Sequence, residues 1–199
     1  MRFRPILYTA ILGTSLFLMG AGDEHPEEGP EPANAAYQQW SQFKPGSYVT
    51  VEQKTISHVE NTELPPEGED MRITTRLVDL TKDKAVLNEK RVDVDPGSET
   101  ELAPEKITLF NTAGTKEAAA GAKPSDIKEG DEELTVAGKK IKTHWVESTI
   151  KAGQQESKSK DWLSDEVPGG LVKEELKKTD AGKLMMESTT TVIDYKSPS

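Results

Sequence analysis

At 199 residues the chain has the length of one ordinary domain, enough to bury a core without covalent staples. It contains no cysteine, which excludes disulfide scaffolds, thiolate metal sites, cysteine nucleophiles and a lipidated N-terminal cysteine. A net charge of −10 with only 6% aromatic residues argues against phosphate backbones, anionic headgroups and base-stacking surfaces, so no nucleic-acid partner is expected.

Residues 1–22 read as a secretory signal. Arg2 and Arg4 form a short basic start, and Ile6 to Met19 is largely apolar but short for a membrane span. The small residues Gly20-Ala21-Gly22 follow, and cleavage is expected near Ala21 or Gly22. No transmembrane span is expected after cleavage, and the domain is placed in the periplasm or outside the cell. Residues 23–33 read as an acidic linker: Asp23 to Pro32 is Asp, Glu, Pro and Gly with one histidine, His25, and such a segment cannot offset its ordering entropy. Residues 34–199 then form a single domain.

In that domain Ala36, Tyr37, Trp40 and Phe43 recur at helical spacing, Asn34 supplies an N-cap, and Lys44-Pro45-Gly46 stops the turn, predicting one short amphipathic helix packed on a sheet. Strands follow. Ser47 to Val59 is the first, Met71 to Leu80 alternates with Met71, Ile73 and Leu77 on one side, and Ala85 to Val94 returns. Glu99 to Gly130 is poorly patterned, with one short strand expected at Ile107 to Phe110 and a loop at Thr112 to Pro124. Glu132 to Val136 and Lys140 to Ile150 form a hairpin about Ala137-Gly138, with Trp145 turned to the buried side together with Ile141 and Thr143. Ser157 to Ser164, Leu171 to Thr179 and Lys183 to Tyr195 complete the set. The expected fold is mainly β: a curved antiparallel sheet or half-open barrel of about eight strands with one short N-terminal helix.

Chemistry is sparse. His25, His58 and His144 have no metal-ligand spacing, no phosphate-cradling or nucleophile-elbow motif occurs, and neighbouring acids such as Glu174-Glu175 point to opposite sides of a strand. No cofactor, metal or catalytic group is expected, and a hydrolase built on His58, His144 and carboxylates is the less favoured alternative. Lys140, Lys142 and His144 form one basic stripe, read as a solvated outer face. At Pro168-Gly169-Gly170 the chain must reverse, as a simple turn or as the rim of a half-barrel mouth beside Trp162.

The stretches Trp40 to Val49, Leu134 to Glu147 and Asp161 to Lys173 look like those of exported proteins of planctomycete type. The Trp162 to Val172 corner followed by a final strand is distantly similar to the LolA/LolB-like lipoprotein carriers. The second resemblance implies a sheet wrapped around an apolar cavity with a helix as lid, holding an acyl chain or apolar peptide without covalent chemistry. The ligand-binding residues expected on that concave face are Met71, Ile73, Leu77, Trp145, Trp162 and Pro168. A lipid, a hydrophobic peptide or an envelope protein is the expected partner, and an envelope protein–protein interaction module is the alternative function.

Overall fold

The computed structural model describes residues 34–58, 67–111 and 125–198; the expected signal and linker, and the loop at 112–124, lie outside them. One helix, α1 (Ala35–Ser41), precedes ten strands: β1 (Tyr48–Ser57), β2 (Glu67–Leu80), β3 (Lys84–Asp95), β4 (Ser98–Glu101), β5 (Glu105–Phe110), β6 (Ser125–Val136), β7 (Lys139–Ala152), β8 (Gln155–Leu163), β9 (Leu171–Asp180) and β10 (Lys183–Lys196). They form a single antiparallel sheet in the order β4-β3-β2-β1-β10-β9-β8-β7-β6, with β5 also on β3. Two meanders are thus joined in the middle by the pairing of β1 with β10.

The expected count of about eight strands is corrected to ten. β4 and β5 run one after the other along the same edge of β3, interrupted at Leu102-Ala103-Pro104, where the proline lacks a ladder donor. β4 reads Ser-Glu-Thr-Glu, with no apolar residue to create an alternation. β6 likewise begins at Ser125 rather than Glu132, through a run too acidic to show a face.

Helix α1 forms as its sequence dictates. The Asn34 side chain accepts from the amides of Ala36 and Tyr37 at 3.0 and 3.4 Å, satisfying two orphan donors of the first turn. Tyr37, Trp40 and Phe43 are all buried, and the Tyr37 hydroxyl donates to the Thr81 carbonyl at 2.8 Å, tying the helix to the β2–β3 turn. The core that α1 joins includes Val49, Leu77, Leu87, Leu109, Val172 and Val192. All of these lie near one end of their strands, the end where β1 starts and β10 finishes. The hydrophobic interior is therefore concentrated at one end of the sheet.

The sheet is curved and unclosed. Lys139 on β7 lies three strands from β10 in the order, about 14 Å in a flat sheet, yet its ammonium sits 5.1 Å from the centre of the Tyr195 ring. The two edges stay apart by charge: β6 carries Asp126, Glu129, Asp131, Glu132 and Glu133, and the opposite edge carries Glu99, Glu101 and Glu105. Edges of like sign resist pairing with each other or with a second copy.

The hairpin turns are as expected in place, with one local cost. Ala137-Gly138 and Ala181-Gly182 are two-residue loops with both members at positive φ; the alanines stand at +49° and +47°. Alanine is strained there and asparagine is not, so Ala181→Asn should raise stability by about 0.5–1 kcal/mol, read as a shift of the urea midpoint. An unchanged midpoint would mean the turn relaxes in solution.

Candidate binding face

Strand register decides which side chains share a face. Residues directly opposite one another in an antiparallel pair point the same way. One row crosses the sheet as Met71, Gln53, Thr190, Glu174, Asp161 and Val146, on β2, β1, β10, β9, β8 and β7. The row beside it, Arg72, Glu52, Thr191, Lys173, Trp162 and Trp145, points to the other side. On β1, β2 and β10 the first row is on the inner face, with Val49, Val51, Leu77 and Val192, which pack in the core that α1 joins; on β7 the buried side is that of Ile141, Thr143 and Trp145.

The six residues expected to share a concave binding surface are therefore divided. Met71 and Ile73 lie half-buried on the inner face, beyond the apolar end. Leu77 is on that face but 0% exposed, inside the core. Pro168 is also fully buried. Trp162, 5% exposed, belongs to the same buried cluster as Trp40, Val49 and Ile141, and the half-buried Trp145 packs against that cluster.

Their burial also has a local cause. The Lys160 ammonium lies 4.3 Å from the Trp145 ring centre and 4.6 Å from that of Trp162, and Lys173 covers Trp162 from its other neighbour at 4.6 Å. The Trp162 indole donates to Glu132 Oε2 at 2.9 Å. Long lysine stems thus add cover to aromatic rings that also pack against the core. Gly130 stands opposite Trp145, and a Cβ there would come within 2.8 Å of the indole, so the glycine is what lets the ring lie flat on the sheet. Trp162 is left 5% exposed.

At the Pro168 corner the chain reverses as expected. Gly169 has φ +84°, and a Cβ on it would sit 3.2 Å from the Trp40 ring. The loop is packed under α1, with Val167 fully buried. The rim of this corner is a plug.

Two members of the basic stripe are paired. Lys140 meets Glu133 at 2.8 Å, and His144 meets Asp131 at 3.1 Å and Glu129 at 3.7 Å. A depression of about 740 Å³ lined by Asp131, Glu133, Lys142, His144, Leu163 and Asp165 is thus a surface of mixed charge. His58, by contrast, follows the far end of β1, where its amide donates to the Met185 carbonyl. The two histidines of the hydrolase alternative stand at opposite ends of the sheet, with β10, β9 and β8 between their strands.

Beyond the apolar end, the inner face changes character. Gln53, Thr55, Ser188, Ser159 and Ser148 line it together with Met71, Leu176 and Met186. Ser188 is engaged by Thr55 at 3.1 Å and Gln53 at 3.5 Å. In its centre two carboxylates face each other: Asp161 on β8 lies directly opposite Glu174 on β9. Burial holds Asp161 above the usual carboxylate range. Glu174 is raised by burial first and by the Asp161 charge second, with Lys178 and the Thr190 hydroxyl opposing. Like charges placed directly across a ladder are destabilising. Sequence reasoning dismissed Glu174-Glu175 as a couple and missed this one, which becomes visible only when β8 and β9 are paired outward from the Pro168 loop.

Among the described residues no helix is long and apolar enough to cross a membrane, and no group of three or more His, Asp or Glu side chains is placed to hold a metal ion.

No protein-family model and no curated protein matches the chain. Among solved structures, the chain is similar to a "putative lipoprotein" from Parabacteroides distasonis, at 13% identity and a TM-score of 0.44 over 79% of this chain and 98% of that one. It is also similar to a "putative exported protein with YmcC-like fold" from Bacteroides fragilis, at 11% identity and a TM-score of 0.42 over 77% and 97%. A LolA superfamily protein from Nitrosomonas europaea aligns at 11% identity and a TM-score of 0.22 over 84% and 94%. At these similarities no ligand or activity transfers to this chain, and the likeness to planctomycete proteins has no counterpart among them.

Proposed function

We propose that this is an exported, non-enzymatic binding domain that holds a ligand with an apolar portion, such as an acyl chain or apolar peptide, on the part of the inner face that α1 leaves open. One observation carries the reading: the apolar interior is concentrated at one end, while Met71, Ile73, Leu176 and Met186 continue along the same face only half-buried. Apolar surface of this kind gains about 25 cal/mol per Å² when a ligand covers it. The hydroxyls and Gln53 beside it can orient the bound molecule.

The purified protein should raise the fluorescence of N-phenyl-1-naphthylamine, and octanoate or octanol should displace the dye. Ile73→Glu, which puts a charge on the open inner face, should weaken dye binding by about ten-fold, equivalent to about 1.4 kcal/mol. Absence of any dye binding by the folded protein would remove the reading. The weight would then pass to an envelope interaction module, for which the unpaired β6 edge offers a partner strand a place to add.

A further inference from the structure

Two carboxylates and a hydroxyl meet at the centre of the inner face, and among the described residues no cation forms an ion pair with either carboxylate. Asp161, Glu174 and Thr190 occupy one row on adjacent strands β8, β9 and β10, within about two inter-strand spacings, or roughly 10 Å. Thr190 is only 4% exposed, and its hydroxyl, although beside Glu174, makes no hydrogen bond of regular geometry among the described residues. Asp161 Oδ1 is likewise buried without a partner there. Buried polar atoms are rarely left so, because each forfeits its hydration without recompense. Two opposed carboxylates require a donor carrying positive charge, and the Thr190 hydroxyl oxygen can accept from that same donor.

The surrounding charges do not supply it. Lys178 lies four residues along β9, about 13 Å of strand away, and makes no ion pair within 4.0 Å of either carboxylate. Glu129 continues the row on β6 but is turned to His144. Helix α1 brings no charged side chain. Among the described residues no group of three or more His, Asp or Glu side chains is placed here to hold a metal ion. An ammonium, with three donors in a tetrahedral fan, matches one oxygen from each. Apolar neighbours are at hand for the rest of such a molecule: Val51 and Val192 follow on one side of the row and Leu176 on the other.

We infer that Asp161, Glu174 and Thr190 form a head-group site for a primary ammonium, so that the ligand is an amine-bearing amphiphile. The inference rests on the binding-domain reading and specifies the ligand's polar end. A cation there would hold both carboxylates ionised and turn an unfavourable pair into a clamp.

Three eight-carbon probes separate the possibilities: octylammonium, octanol and octylsulfonate, each below its micellar concentration, titrated into the purified protein by calorimetry and by amide chemical shifts. Octylammonium should bind at least about ten-fold more tightly than the other two, with shifts centred on β8, β9 and β10. Asp161→Asn and Glu174→Gln should each abolish that preference while leaving octanol binding in place. Glu187→Gln, which removes the same charge from the outer face, should leave the preference intact and so exclude a general attraction of an acidic protein for cations. Equal binding of all three probes would overturn the ammonium site and leave the binding domain standing. Binding of none would overturn both.

Discussion

Replacing Trp40 with alanine should cost about 3–5 kcal/mol of folding stability, measured as the loss in extrapolated unfolding free energy in urea with a two-state fit. A helix of seven residues has no stability of its own in water, so α1 exists because its aromatic face is buried. Trp40 is the largest side chain in that face. Its ring rests on Gly169, and its removal opens a void between the helix and the β8–β9 loop. For a domain whose whole stability is on the order of 5–15 kcal/mol, such a loss is about a fifth of the total or more.

The Gly169 contact provides an internal check. Gly169→Ala should cost about 1–2 kcal/mol for the positive φ, plus the clash of its Cβ with the indole at 3.2 Å. In the Trp40→Ala background the clash has no partner and only the backbone part should remain, so the double variant should be less damaged than the sum of the two. Strict additivity would mean that the ring and the loop do not touch in solution.

Much of this architecture was legible. The spacing of Tyr37, Trp40 and Phe43, the Asn34 cap and the Pro45-Gly46 stop define α1 locally, and the paired turns at Ala137-Gly138 and Ala181-Gly182 define their hairpins by chemistry that acts within four residues. What escaped is what depends on the partner strand. β4 has no apolar residue, so its place on β3 follows from register alone. Alternation in β7 puts Trp145 on one side with the buried Ile141 and Thr143, but the cover that Lys160 on β8 gives Trp145 and Lys173 on β9 gives Trp162 comes from the neighbouring strand. The Asp161–Glu174 pair is the same kind of case. A register shift between Trp162 and Leu163 separates the loop from the ladder, so counting back from Pro168 without it would pair Asp161 with Lys173 and suggest an ion pair where two acids meet.

That meeting has a consequence for pH dependence. The protein's stability should fall as pH rises above about 4, read as the urea midpoint across a series of pH values, a fall that Asp161→Asn or Glu174→Gln flattens. Both acids have folded-state proton affinities raised by burial, and Glu174 additionally by Asp161. Between the ordinary carboxylate range, about pH 4, and their raised folded values, the native state binds more protons than the unfolded chain, so stability declines as pH climbs through that window and is regained on acidification. Glu156, held below the ordinary range by Lys158 and Lys151, acts in the opposite sense, its contribution being lost as pH falls further. A maximum in the mildly acidic range results. At pH 7.5 each amide variant should exceed the parent by about 1 kcal/mol, the low end for a buried polar group without a partner, because both carboxylates keep some contact with water. The double variant should gain less than the sum, since removing either charge already relieves the other. A parent protein whose stability does not fall as pH rises above about 4, or an Asp161→Asn variant less stable than the parent, would show that Asp161 has a donor in the folded state. The substitutions expected to stabilise the free protein are those expected to abolish ammonium preference. A strained acidic pair kept at the centre of a binding face is understandable if the strain is relieved when the ligand arrives.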